Sequence, residues 1–184
     1  MKKLLAIAGA AFILAAACTT SEESTWQQYT EWRDANNAWL TQLQNKKDAD
    51  GNPYYRTIIP AWNPGSFVLI HYFNDRAETA GNLSPLYTST VDTRYEVHLF
   101  DGTGVDSSTL QTAYGPGIYR AQLNRLVPGW GVALSEMHCG DTAEVIVPYA
   151  LAYGNNSTGS VKPYSNLRFN IRLVDIYRYE TSPY

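Results

Sequence analysis

From residue 67 onward, the chain is a series of short β-type runs separated by Gly, Pro, Asn and Asp, and this pattern limits the fold more than any other feature. It predicts strands at residues 67–73, 91–100, 118–123, 142–147 and 167–177. A single helix is predicted over 128–137, because Pro128 suits a first helical position and Gly140 lies just past the end. Strands joined by short connections around one helix indicate an α+β fold, in which an antiparallel sheet closes over that helix.

A second, amphipathic helix is predicted over residues 24–43. Its stripe recurs at spacings of three and four: Trp26, Tyr29, Trp32, Asn36, Trp39, Leu40 and Leu43. Ser24 and Thr25 both suit its N-terminal cap, and turn-forming residues at 45–53 end it. A stripe so rich in tryptophan needs a surface to pack against: the sheet of the same chain, a second copy of the protein in a homodimer, or another partner. We expect this helix to be separable from any catalytic site.

The N-terminus has the features of an export signal. Two lysines precede an apolar run of 14 residues, Leu4 to Ala17, which ends at Cys18. This run is short for a spanning helix, which needs about 20 residues. Ala15-Ala16-Ala17-Cys18 resembles a bacterial lipobox, in which the cysteine carries lipid and becomes the mature N-terminus, although Leu14 lies one residue further from the cysteine than usual. We therefore expect lipidation at Cys18 and a place in the bacterial cell envelope, on the periplasmic or cell-surface face; simple secretion is the alternative.

Charge and residue spacing exclude several functions. The formal net charge is −3 without basic clusters, which argues against nucleic-acid binding. His71, His98 and His138 are not at the spacing of metal ligands, so we predict no metal. The closely spaced glycine pairs lack the strand-to-helix context and the Lys of a phosphate-binding loop, and we predict no cofactor. Cys139 follows His138 directly, and a buried apolar role suits it better than that of a nucleophile.

Five segments in chain order resemble the motifs of one family. They are VDTRYEVHLFDGTGVDSS at 91–108, LVPGW at 126–130, EMHCGD at 136–141, PYALAYG at 148–154 and VKPYSNLRFNI at 161–171. They are similar to V-x-V-x-Y-x-G-x-L-x-D-G-x-x-F-D-S-S, V-I-P-G-W, Q-M-x-x-G-D/E, P-x-x-A-Y-G and I-P-P-x-x-x-L-x-F-x-V of FKBP-type peptidyl-prolyl cis-trans isomerases. The resemblance implies an FKBP-like antiparallel sheet wrapped over one short helix, with an N-terminal helical extension. It divides the chain into a lipoprotein signal peptide at 1–17, a lipidated linker with the amphipathic helix at 18–53 and an FKBP-like domain at 54–184.

Transferred residue by residue, the resemblance implies a pocket with Trp130 as its floor. Tyr95, Asp106, Trp130 and Tyr153 would be its catalytic residues, with Asp106 and Tyr153 at the rim. The Val127 N–H would donate to a bound peptide. The substrate-binding residues would be Val105, Tyr119, Leu126, Val127, Val161 and Phe169.

Such a pocket suits prolyl isomerisation, since rotation about the bond has a barrier of about 18–20 kcal/mol from amide resonance. The planar amide is the more charge-separated state, so an apolar pocket disfavours it relative to the twisted one. Proline-containing peptides or unfolded proteins are therefore the expected partners.

Several residues depart from the family pattern. Val105 stands where the family usually has Phe, Val97 replaces a Gly, and Ala121 stands where a second aromatic is expected. Gly131-Val132 replaces acidic residues, and the stretch 74–90 is long for a strand connection. These departures leave two functions open: an isomerase, or an FKBP-like binding or chaperone module without catalytic activity.

Overall fold

A computed structural model describes residues 24–177 of the 184-residue chain, so the predicted signal peptide and Cys18 lie outside the described residues. The helices are α1 (Thr25–Gln28), α2 (Thr30–Gln44) and α3 (Pro128–Leu134), with one-turn 3-10 helices at Leu123–Arg125 and Tyr149–Leu151. The strands are β1 (Arg56–Ile58), β2 (Val68–Tyr72), β3 (Thr90–Leu99), β4 (Gly104–Ser107), β5 (Tyr119–Gln122), β6 (Thr142–Val147) and β7 (Leu167–Ile176).

The strands form one antiparallel sheet in the order β1-β2-β6-β7-β3-β4, with β5 also paired to β3. β7 lies near the centre, where Phe169 pairs with Val97 of β3 and with Val145 of β6. Apolar and polar residues alternate along β7, which predicts that one side of the strand is buried. Leu167, Phe169, Ile171 and Leu173 are indeed all buried. The predicted α+β architecture, an antiparallel sheet packed over one short helix, is confirmed. The short edge strand β1 has no alternating pattern in the sequence and was not predicted.

Helix α3 packs its buried face, which includes Trp130, Ala133 and Leu134, into the main hydrophobic core. Gly129 allows this close approach, since a Cβ there would lie 2.3 Å from Cγ1 of Val147. The helix ends at Leu134, three residues before the predicted end. Beyond it the Met137 N–H donates to the Leu134 carbonyl over 3.1 Å, an i to i−3 bond that replaces the α-helical one.

The predicted helix over 24–43 is two helices, which is a correction to the sequence analysis. Ser24 caps α1 in a capping box with Gln27. The chain leaves helical geometry at Tyr29, where φ is −105° and ψ is 22°. Next to this break the Thr30 hydroxyl donates to the Gln27 carbonyl over 2.8 Å, a local side-chain bond that competes with the helical pattern.

Most of the stripe on α2 packs against the same chain. Trp39, Leu40 and Leu43 contact a small cluster of Tyr55, Leu69 and Ile146 from β2, β6 and the residue before β1. Leu69 and Ile146 point away from α3, because the residues beside them in each strand belong to the core around α3. Helix α2 therefore covers part of the outer face of the sheet. Within residues 24–177, no helix is both long and apolar enough to cross a membrane. The division of the chain at residue 53 stays a prediction.

The long connection before β3 explains one departure from the family pattern. Its Tyr87 lies against α3 at Gly131, where a Cβ would be only 2.4 Å from the tyrosine ring. Asp141 is fully buried and fixes the start of the connection, because it accepts hydrogen bonds from Thr79 over 2.5 Å and from Asn74 over 3.1 Å. Glycine at position 131 is thus required by a ring that the longer connection supplies.

Candidate active site

A cavity of about 160 Å³ opens between α3 and the face of the sheet on which α3 packs. Aromatic and aliphatic side chains make up most of its lining. The lining residues are Tyr95, Val97, Val105, Asp106, Tyr119, Leu126, Val127, Trp130, Tyr153, Val161, Leu167 and Phe169. The structure therefore brings all ten sequence-predicted pocket residues together in one place.

Two lining residues, Val97 and Leu167, are not among the ten predicted pocket residues, although Val97 is one of the departures from the family pattern. Each lies two positions from a predicted residue on the same strand: Val97 from Tyr95, and Leu167 from Phe169. Side chains two residues apart on a strand point to the same face. This periodicity could have identified both. Ala121, by contrast, pairs with Val91 in the sheet and is not among the lining residues.

Trp130 is the floor of the cavity, with only 4% of its surface exposed. Its ring meets three others edge-on: Tyr95 at 5.2 Å and 86°, Phe169 at 5.4 Å and 83°, and Tyr119 at 6.4 Å and 87° between centroids and planes. Edge-to-face contacts of this kind are favourable, because the positive edge of one ring meets the negative face of another. The floor and walls of the cavity are thus formed by four rings that pack against one another, one each from α3, β3, β5 and β7.

The start of α3 leaves a hydrogen-bond donor at the cavity. Val127 is the N-cap residue of α3, and its carbonyl accepts from the Trp130 N–H over 2.9 Å. Among the hydrogen bonds of the described residues, none uses the Val127 N–H. The first N–H groups of a helix have no partner within it. This donor is therefore free to bind a carbonyl oxygen of a ligand.

The polar rim is built from Tyr95 and Asp106. The Tyr95 hydroxyl donates to Oδ2 of Asp106 over 2.6 Å, and Oδ1 of the same carboxylate accepts from the Ser107 N–H over 2.8 Å. Burial, then the hydrogen bond to Asp106 and the charge of that group, raise the pKa of Tyr95 well above its usual value. Burial and the charge of Asp106 also raise the pKa of Tyr119. Both phenols are therefore neutral donors at physiological pH.

The chain between β6 and β7 contributes Tyr153 to the rim and Val161 to the wall of the cavity. Tyr153 is 37% exposed and Val161 is 3% exposed. Asp106 is exposed, so its carboxylate faces solvent and an incoming ligand. The site as a whole is a small apolar cavity with one carboxylate, neutral phenols and one free backbone donor at its edge.

The other candidate residues lie outside this cavity. His71, His98 and His138 do not line it, and within residues 24–177 no three His, Cys, Asp or Glu side chains group as metal ligands would. Burial raises the pKa of Cys139, so its thiol stays protonated, and it packs at the edge of the core. The apolar role expected for Cys139 agrees with this position.

A family model described as FKBP-type peptidyl-prolyl cis-trans isomerase matches residues 82–174. The chain is 36% identical over 115 residues to "Outer membrane protein MIP" of Legionella longbeachae, a match that covers 61% of this chain and 48% of that protein. It is 37% identical over 93 residues to "FKBP-type 22 kDa peptidyl-prolyl cis-trans isomerase" of Escherichia coli, covering 50% of this chain and 43% of that one. The matches span about half the length of these relatives.

Solved structures share the fold. The crystal structure of FkpA from Escherichia coli superposes with a TM-score of 0.61 at 21% identity, over 82% of this chain and 64% of that one. A peptidyl-prolyl cis-trans isomerase from Pseudomonas syringae superposes with a TM-score of 0.57 at 22% identity, over 78% of this chain and 93% of that one. Because the family model covers α3, strands β3 to β6, most of β7 and every residue that lines the cavity, this chain belongs to the FKBP-type peptidyl-prolyl cis-trans isomerase family.

Proposed function

We propose that the protein is a peptidyl-prolyl cis-trans isomerase that acts on Xaa-Pro bonds of peptides or unfolded exported proteins in the bacterial envelope. The observation that carries the proposal is the cavity above Trp130, with rings on its walls and a free N–H at its edge. An engineered cavity of about 150 Å³ holds one benzene molecule. A cavity of about 160 Å³ therefore suits one small ring, such as the pyrrolidine ring of proline.

The apolar lining favours the twisted amide of the transition state. Resonance separates charge in the planar amide, and twisting the C–N bond removes that resonance. Water solvates the planar form well, whereas rings such as Trp130 and Phe169 do not. Transfer of the bond from water into the cavity therefore costs the planar state more than the twisted one, which lowers the barrier.

The polar groups at the rim hold the peptide on either side of this bond. The Val127 N–H binds a peptide carbonyl and fixes the chain against α3. Asp106, held by Tyr95 and the Ser107 N–H, has lone pairs left to accept a peptide N–H or to interact with the dipole of the turning carbonyl. With both sides of the bond held in this way, rotation needs neither a nucleophile nor a metal.

Attachment to the envelope is part of the proposal. The leader ends at Cys18 in a lipobox-like segment, and the Legionella relative is named an outer membrane protein. We infer that lipid on Cys18 anchors the mature chain, with α2 following the anchor in the sequence and packed on the domain. A homodimer through the N-terminal helices stays a prediction. The stripe residues Trp39, Leu40 and Leu43 are used within the chain, whereas Trp26 is 52% exposed.

The test is a protease-coupled proline-isomerisation assay on the purified protein, with peptides that differ in the residue before proline. We expect catalysis at nanomolar to micromolar enzyme. Asp106→Ala should lower the rate, and the matched control Asp50→Ala, at an exposed turn remote from the cavity, should not. No catalysis with any peptide would refute the enzyme.

A second function is a binding module without catalysis, favoured by the aliphatic wall at Val105. Val105 is half-buried in the cavity lining, beside the exposed Asp106. A wall without a ring there excludes less water from a bound amide. Binding of proline peptides with no catalysis would support this function.

A further inference from the structure

The chain between β6 and β7 holds two of the pocket residues and is bonded to the N-terminal helix. We refer to residues 148–166 as the flap segment; it includes Tyr153 at the rim and Val161 in the lining. The segment has little regular structure besides the 3-10 helix Tyr149–Leu151. Its conformation therefore depends on contacts with the rest of the molecule.

The two ends of the flap segment are joined by one side chain. Asn166 is fully buried, and its Oδ1 accepts from the Tyr149 N–H over 2.8 Å. Within the segment the Tyr164 N–H donates to the Gly154 carbonyl, and the Val161 N–H donates to the Thr158 carbonyl, over 2.8 and 2.9 Å. The segment is thus a closed loop whose ends meet at Asn166.

The remaining hydrogen bonds of Asn166 go to helix α2. Its backbone N–H donates to Oδ1 of Asn36 over 2.8 Å, and its Nδ2 donates to the Asn36 carbonyl over 2.8 Å. Asn36 is also fully buried, and its own Nδ2 donates to the Trp32 carbonyl over 2.9 Å. A buried amide costs free energy unless its polar groups form hydrogen bonds. Here the two asparagines form hydrogen bonds with each other, although they lie 130 positions apart in the sequence.

Trp32, one turn before Asn36, adds a second bond to the same segment. Its indole N–H donates to the Ser165 hydroxyl over 3.0 Å, and that hydroxyl donates to the Lys162 carbonyl over 2.7 Å. Its ring also meets Phe100 edge-on at 5.0 Å. Helix α2 therefore holds the end of the flap segment at both Ser165 and Asn166, and Ser165 in turn bonds to Lys162, the residue after Val161.

We propose that Asn36 and Trp32 are positioning residues for the pocket: they hold the flap segment in the conformation that places Tyr153 and Val161 at the cavity. The effect that we expect on catalysis rests on the proposed function. The effect that we expect on the conformation of the flap segment rests only on the contacts described above. The proposal reverses the expectation that the N-terminal helix is separable from the site. Neither residue contacts the cavity, so both act through the flap segment.

Two variants test this in the full-length protein. Asn36→Ala removes the side-chain acceptor for the Asn166 N–H. Trp32→Phe removes the indole N–H together with part of the ring that Lys162 contacts, and keeps a phenyl ring against Phe100, so it remains informative if the first variant folds poorly. Asn37→Ala is the matched control, because Asn37 is the next residue on α2 and is exposed. All variants are first compared by circular dichroism and thermal unfolding.

Amide hydrogen exchange and steady-state kinetics are the two measurements. We expect exchange at Val161 and Tyr164 to rise about three- to tenfold in both variants, consistent with the loss of one hydrogen bond, while exchange in β6 and β7 stays the same. KM for a proline peptide should rise by a similar factor, with kcat changed less, because the peptide-binding wall is loosened. The control should change neither.

The outcomes separate this proposal from the proposed function. Exchange that rises equally throughout the sheet, or stays unchanged at Val161 and Tyr164, would show that Asn36 and Trp32 only stabilise the fold and would overturn the proposal. If the unsubstituted protein has no isomerase activity, the proposed function fails, and local exchange at Val161 and Tyr164 still decides the positioning role.

Discussion

Tyr95 and Asp106 form a direct link between the wall of the cavity and its rim, a hydrogen bond of 2.6 Å from the phenol hydroxyl to a carboxylate oxygen. The tyrosine ring also meets Trp130 edge-on at 5.2 Å. One side chain therefore contacts both the apolar floor and the charged group that faces the ligand. The contributions of the hydroxyl and of the ring of Tyr95 can therefore be tested separately by mutation.

Tyr95→Phe keeps the ring and removes the hydrogen bond to Asp106. We expect kcat/KM to fall about two- to tenfold, because the carboxylate loses the donor that orients it. Stability should change by no more than about 1 kcal/mol, since Asp106 is exposed and water can replace the bond. The control is Tyr114→Phe at a residue that is 53% exposed and outside the cavity. An unchanged kcat/KM in Tyr95→Phe would contradict a role for this bond.

Stability should decline at alkaline pH. Burial is the main reason that the pKa values of Tyr55, Tyr72, Tyr95 and Tyr119 are raised in the folded protein. Above pH of about 10 the unfolded chain releases these protons first, so the unfolded state gains stability relative to the folded one. The stabilisation is complete below about pH 10 and is lost as the pH rises further towards the folded pKa values. Urea unfolding at about pH 8 and about pH 11 measures the loss, which Tyr95→Phe should reduce.

Much of the fold is visible in the sequence because its strands carry their own alternation. The strand at Thr142–Val147 has the predicted bounds, and Leu167–Ile176 differs from its prediction by one residue. Strand β1 was missed because three residues carry no periodicity, and only pairing with β2 defines them. The break at Tyr29 was missed because the apolar spacing continues across it.

The pocket residues were accessible to sequence reasoning, whereas their support from α2 was not. Family motifs near Tyr95, Trp130 and Phe169 mark the cavity. The bond between Asn36 and Asn166 joins residues 130 positions apart, and Asn36 stands as one polar residue in an apolar stripe. Nothing in a helical period indicates which distant backbone such an amide will meet. Only the packed structure identifies that partner.

Trp130→Ala should weaken both the fold and ligand binding. The residue is 4% exposed and contacts three rings, and truncation of a buried Trp commonly costs about 3–5 kcal/mol. Chemical denaturation measures the first effect, and titration with a proline peptide measures the second. Trp62→Ala is the control, since Trp62 is 61% exposed and outside the cavity. Full affinity in a destabilised Trp130→Ala protein would place the ligand site elsewhere.

Cys18→Ser should release the protein from the membrane or leave its leader uncleaved, because serine cannot carry the thioether-linked lipid. Cell fractionation and mass spectrometry of the mature N-terminus measure the result. The other cysteine supplies the control: Cys139→Ser should leave membrane attachment unchanged, since Cys139 packs at the edge of the folded core. A mature N-terminus without lipid, at a residue other than Cys18, would refute the anchor.

Val105→Phe tests whether the aliphatic wall limits the enzyme. Val105 is half-buried on β4, beside Asp106, and lines the cavity. A phenyl ring there would exclude water from the rotating bond and add apolar contact worth about 1–3 kcal/mol. If the natural protein is a weakened isomerase, kcat/KM should therefore rise and proline peptides should bind more tightly.

The control for an added ring is Leu110→Phe, at a residue that is 91% exposed and follows β4 in the chain. It should leave both measurements unchanged. A natural protein without activity towards any peptide refutes the isomerase, and a Val105→Phe variant that is also inactive shows that the aliphatic wall is not the cause. If such a protein still binds proline peptides, and Trp130→Ala abolishes that binding, the cavity is a peptide-binding site. The binding module would then be its function, because recognition of the proline ring needs the floor and walls alone, whereas catalysis also needs the rim.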